Sequence, residues 1–101
     1  MKSEVFGIIG GDRRQIYLAK SILKDNYPLY VCGFDNIKEA SCLPGAPLNV
    51  VLELSDNIIL PLPVSRDGET IFAPYSSEPI KAGSEFIIAL SGKNVYGGMM
   101  N

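Results

Sequence analysis

"VFGIIGGDRRQIYLAKSILKDNYPLYVCGFD", residues 5–35, is the stretch that decides the fold. Val5–Ile9 is an unbroken apolar run that halts at Gly10-Gly11, as in a strand buried on both faces that ends in a tight turn. From Arg13 to Lys24 the period changes. At about 100° per residue, Ile16, Leu18, Ala19, Ile22 and Leu23 fall on one half of a helix, and Arg13, Arg14, Tyr17, Lys20, Ser21 and Lys24 on the other. Asp12 stands where an N-cap is wanted, and Asp25-Asn26 stops the helix. Pro28 then introduces a second apolar run, Leu29–Cys32, closed by Gly33. Such a strand, helix and strand form a right-handed crossover between parallel neighbours, so the sheet is expected to be mainly parallel.

Downstream, Asn57–Leu60 reads as another buried strand, ended by Pro61 and Pro63, neither of which can donate to a ladder. Phe86–Leu90 reads as a further buried strand. "LNVVLEL", residues 48–54, fits either a strand or a short crossover helix, and Asp35–Ala40 has room for one helical turn. Pro44, Gly45 and Pro47 interrupt whatever lies between them. Pro61–Glu69 is a polar loop and Thr70–Phe72 a short extended segment. "NVYGGMMN", residues 94–101, begins like a turn of helix and stops, which suggests a piece cut from a longer protein. The expectation is one α/β domain over residues 1–101: three layers around a mainly parallel sheet of four or five strands, Rossmann-like or flavodoxin-like.

The totals narrow the function classes. Nine basic and 11 acidic side chains give a net charge of −2, so no electrostatic footprint for nucleic acid or an anionic membrane is present. The apolar stretch at residues 5–9 is far shorter than a secretory core or a span of about 20 residues, and a cytoplasmic protein is expected. Cys32 and Cys42 form no C-x-x-C, and the chain has no histidine; Ser-His-Asp, Cys-His and histidine–metal chemistry therefore drop out. No metal site and no catalytic residue are assigned.

In a parallel α/β sheet, ligands bind beyond the carboxyl ends of the strands. Gly10-Gly11-Asp12, Gly33-Phe34-Asp35, Pro61 to Gly68 and Ser91 to Asn94 are expected to converge there. Arg13 and Arg14 then pose a question, because a cation in the first helical turn opposes the helix dipole by about 0.3–1 kcal/mol at exposed positions. Either an anion sits at that pole, or the two lie on a solvated face and pair with Asp12 or Glu4. Gln15 falls on the apolar side, where a buried amide needs partners from a neighbouring loop or a ligand. Gly7, Gly10 and Gly11 stand at the wrong offsets for Gly-x-Gly-x-x-Gly, although Asp35 occupies the place of a ribose-binding acid. "SGKN" lacks the upstream glycine and the Ser/Thr of a phosphate-binding loop. Leu60-Pro61-Leu62-Pro63 lacks the phosphoacceptor of a signalling receiver domain, for which only Lys93 fits.

Taken together, "IIGGDRRQ", "VCGFD", "DNIILPLPVSRDGE" and "IALSGKN" resemble the N-terminal domain of the dipicolinate synthase A-subunit, over essentially all 101 residues. The resemblance implies part of a spore-forming bacterium's oxidoreductase, acting on a dihydrodipicolinate-type precursor with NAD(P) in the mother-cell cytoplasm. It also implies that NAD(P) is bound mainly by a C-terminal domain missing from this chain, which alone should not catalyse hydride transfer. Gly11, Asp12, Arg14, Gln15, Ser65, Gly68 and Ser91 are then the candidate substrate-binding residues, with Arg14 as carboxylate clamp. The implied partners are a dicarboxylate substrate, the C-terminal domain, the dipicolinate synthase B-subunit and a second copy. The alternative is a stand-alone small-ligand or nucleotide-binding module without catalysis. A third reading is a purely structural docking domain for the B-subunit or a second copy, with Phe72, Tyr75 and Met99-Met100 as its contact patch.

Overall fold

A computed structural model describes residues 4–61 and 64–97. Its elements in chain order are β1 (Phe6–Ile9), α1 (Arg13–Lys24), β2 (Leu29–Cys32), a 3-10 turn (Lys38–Ala40), α2 (Leu48–Leu54), β3 (Asn57–Ile59), α3 (Ser84–Leu90) and β4 (Asn94–Tyr96). The strands form one parallel sheet in the order β2-β1-β3-β4. Phe6 is in register with Leu29 on one side and Asn57 on the other, and Asn57 in turn with Asn94. The first crossover steps outward from β1 to β2, and the second returns past β1 to β3. The chain therefore reverses direction between β1 and β3, leaving a crevice at their carboxyl ends.

Alternation along β1 creates the three layers. Ile8 packs with Ile16, Ala19 and Ile22 of α1, and with Leu29 and Val31 of β2. Ile9 points the other way, toward Val51 and Leu52 of α2 and Phe86 and Leu90 of α3. Both isoleucines are fully buried, which is why the first strand reads as one continuous apolar run. Leu18, assigned above to the apolar half of α1, is instead exposed. Beyond β2, Val31 donates its N–H to Pro44 (3.0 Å) and accepts from Ala46 (2.9 Å). The proline-flanked segment thus covers that edge of the sheet with a single parallel bridge, Val31 to Gly45.

Two expectations need correction. Phe86–Leu90 is not a strand but most of α3, and Asn94–Tyr96 is not a helical turn but β4. A five-residue apolar run has no period of its own to separate strand from helix. What decides is burial: Phe86 and Leu90 face the core while Ile87 and Ile88 between them are 49% and 71% exposed, the spacing of a helix. "LNVVLEL" is the crossover helix of its two readings. In consequence Ser91 to Lys93 lead into a strand, which Asn94 begins, rather than follow one. Asn94 N–H bonds the Asp56 carbonyl (3.1 Å), and Lys93 Nζ the Ser55 carbonyl (2.7 Å), both at the amino edge of the sheet.

The carboxyl edge is occupied by the long segment between β3 and α3. Its Val64, Ile71 and Ile80 are buried in the α2/α3 core, and Thr70 and Lys81 form an antiparallel bridge at its base.

Candidate functional site

The site grows from the turn after β1. Gly10 and Gly11 have φ of 69° and 99°, the left-handed region that favours glycine. Gly10 donates to the Cys32 carbonyl (2.8 Å) and Gly11 to the Phe72 carbonyl (2.7 Å), so the overlying segment is stitched directly to this turn. A methyl group on Gly10 would stand 2.8 Å from the Phe72 oxygen. One on Gly11 would collide with Gln15 Cγ and lie 3.1 Å from Pro61 Cβ.

Asp12 is the N-cap of α1, its Oδ1 accepting from Arg14 N–H at 3.0 Å. The same carboxylate receives the Arg14 guanidinium, Nε to Oδ1 at 3.0 Å and Nη2 to Oδ2 at 2.9 Å. That side-chain hydrogen bond from Arg14 holds the Asp12 carboxyl below its ordinary range. Arg13 takes a different partner, donating Nε to Glu39 Oε1 at 3.0 Å with its guanidinium 5.8 Å from the Tyr75 ring centroid. Of the readings of the twin arginines, pairing with acids describes the chain as it stands, with Glu39 rather than Glu4 beside Arg13. Both guanidinium groups stay more than half exposed, and water screens such pairs, so an incoming anion competes against weak partners.

Gln15 is buried, 9% exposed, and its Nε2 has no hydrogen-bond partner among the described residues. Gly11, Asp12, Arg14 and Gln15 are therefore brought together at the pole of α1, beside the β1/β3 crevice. The other three candidates are not brought to them with free groups. Ser65 Oγ accepts from Gly68 N–H (2.9 Å) and donates to Asp67 (3.2 Å), inside a turn organised by Asp67. Asp67 also accepts from the N–H groups of Glu69 and Thr70 (2.8 Å each) and from the Thr70 hydroxyl (2.8 Å). The Thr70 N–H first among these drives its carboxyl far below the usual carboxylate range. Ser91 lies at the opposite, amino edge of the sheet, because the run before it is a helix.

Reading the sequence missed Asp67, Ser77 and Glu39, and placed Tyr75 in a contact patch rather than beside Arg13. Asp35 accepts from the Ser77 N–H (3.1 Å) and hydroxyl, a contact across 42 positions that no local pattern announces. The Ser77 hydroxyl bond lowers the Asp35 carboxyl's affinity for a proton. The proposed contact patch also changes. Phe72 is half-buried beneath Arg66 (4.6 Å to the ring centroid) and Tyr75 half-buried beside Arg13, while Met99-Met100 lie outside the described residues. A second, open concavity of about 1250 Å³ follows β2, between residues 31–48 and 76–81.

Gly10-Gly11 is closed over by the Phe72 carbonyl and the Gln15 side chain, and the acid at the end of β2 is committed to Ser77. No cluster of three or more metal-ligating side chains occurs among the described residues, and no helix among them is long and apolar enough to cross a membrane.

Residues 5–101 match the family described as the N-terminal domain of the dipicolinate synthase A-subunit. The chain belongs to that family. Among solved structures, it is similar to the A chain of dipicolinate synthase from Bacillus subtilis, at 19% identity and a TM-score of 0.80, over 100% of this chain and 35% of that one. It is similar also to the dipicolinate synthase A-subunit from Bacillus halodurans, at 22% identity and a TM-score of 0.77, over 97% of this chain and 34% of that one. Both likenesses are of fold. The chain spans about a third of the length of either relative. No curated protein matches it in sequence.

Proposed function

We propose that this domain forms one wall of the substrate cleft in an oxidoreductase of the dipicolinate synthase type and binds a dicarboxylate at the pole of α1. The observation that carries the reading is the grouping of Gly11, Asp12, Arg14 and Gln15 at the β1/β3 crevice. There the helix dipole, an exposed guanidinium and a buried amide donor all favour an anionic oxygen. Arg14 is the carboxylate clamp: it exchanges the Asp12 carboxylate for one of the ligand's, keeping a two-point, planar contact.

In this reading NAD(P) supplies the hydride chemistry when bound, from a further domain of the parent protein. The B-subunit of the synthase, the mother cell of a sporulating bacterium and the cytoplasm are the corresponding partner and setting. Ser65 and Gly68 have a supporting part, holding the turn that leads to Phe72 and so to Gly11.

NMR titration of the 101-residue chain with dipicolinate and with NAD(P) tests this. Dipicolinate is expected to move the backbone signals of residues 10–15, and NAD(P) to leave them in place. If NAD(P) instead moves Asp35 and Ser77 while dipicolinate moves nothing, the chain is a nucleotide-binding module and the proposal fails.

A further inference from the structure

We infer that Gln15 is the residue that selects the ligand at this pole, by donating a hydrogen bond from Nε2 to an anionic oxygen of a bound dicarboxylate. The inference rests on the anion site proposed above and adds the group that reads the anion. A helical side chain leans toward the N-terminus of its helix, so Gln15, one turn into α1, covers the turn at Gly11 and Asp12 rather than its own level. The packing shows this directly: its Cγ fills the space that a side chain on Gly11 would take, with Pro61 on the other side.

These neighbours offer the amide nothing to bond. The amide nitrogen is a donor and needs an acceptor; the Asp12 carboxylate already accepts from the Arg14 N–H and guanidinium, and no acceptor bonds the amide nitrogen among the described residues. The side chain is 9% exposed and its nitrogen is without a partner among the described residues. Burying an unmade donor is unfavourable, and a core-facing position on an amphipathic helix is filled more stably by an apolar residue of the same length. The amide is thus an unmade donor buried beside the Gly11 turn at the start of α1. Its terminal torsion is soft, so it can turn toward an oxygen placed at the α1 pole without moving the helix. A site with such a donor discriminates strongly against a ligand that lacks the acceptor, because the donor is then left unpaired.

The test uses Gln15→Met, which keeps length and volume and removes only the amide, with dipicolinate as probe and the wild-type chain's own Gln15 side-chain NH2 signal as a second readout. The expected result is at least tenfold weaker dipicolinate binding, about 1.4 kcal/mol, with a Tm equal to or above that of the wild type. In the wild type, the NH2 signal should move along the same titration curve as the Gly11 amide. An unchanged Kd together with a lower Tm would show that Gln15 only holds the fold, through a buried water or a loop contact, and would overturn the inference. If Gly11 and Asp12 respond to dipicolinate but the Gln15 NH2 does not, this inference fails while the anion site stands. If none of them responds, both fail.

Discussion

Replacing Gly10 by alanine puts the coupling between the β1 turn and the overlying segment to the test. Gly10 has a φ of 69°, and a non-glycine residue in the left-handed region costs about 1–2 kcal/mol. The added methyl would also stand 2.8 Å from the Phe72 carbonyl oxygen, closer than such a contact is tolerated, with Ile71 Cγ2 and Ala73 Cβ at 3.1 and 3.2 Å. The segment must retreat, and the Gly11 N–H to Phe72 bond of 2.7 Å is lost with it, another ~0.5–1.5 kcal/mol. Together these give a destabilisation of about 2–3 kcal/mol. With a urea m-value of about 1.5 kcal/mol/M, the unfolding midpoint should fall by about 1.3–2 M with m unchanged. Gly45→Ala is the control, since nothing lies within 4 Å of the position a methyl would occupy there. Equilibrium urea denaturation of both variants decides. A midpoint for Gly10→Ala within about 0.3 M of the wild type would refute the packing of Phe72 on this turn and the argument built on it.

Two further outcomes are expected. Phe86→Ala should cost about 3–5 kcal/mol, whereas Ile88→Lys should stay within about 0.5 kcal/mol, by urea denaturation; comparable losses at the two sites would contradict the helical phase of α3. Asp67 has a folded pKa below its ordinary value of 3.8, so its contribution to stability is present above that value and is lost as pH falls toward the folded pKa. Asp67→Asn should therefore flatten the decline of Tm below about pH 4, and an unaltered acid limb would remove Asp67 as the organiser of its turn.

The first half of the chain was legible because its periods are long and clean. A five-residue apolar run, Val5–Ile9, whose last four residues are β1, a twelve-residue helix with Asp12 as its cap, and a second strand after Pro28 all stand where their spacing puts them. The second half was not. "FIIAL" carries Ile87 and Ile88 on an exposed face, so its composition conceals its period, and misreading it displaced Ser91 to the wrong edge of the sheet. Within the site, the cap at Asp12 and the inward side of Gln15 could be read from position along one helix. The partners of Arg13 and Asp35 could not, because Glu39, Tyr75 and Ser77 arrive from remote parts of the chain. Asp67 did leave a local trace: an Asp followed by Gly-x-Thr is a turn in which one carboxylate can gather several N–H groups.

The two margins of the sheet are unlike. Beyond β2 the Pro44–Ala46 strap already holds the N–H and carbonyl of Val31, while the far side of β4, among the described residues, has no neighbouring strand. The strap occupies the Val31 peptide groups that another strand would need, so the β2 side resists pairing by sheet extension at that point, and the prolines that flank it are what keep it from serving as a further template.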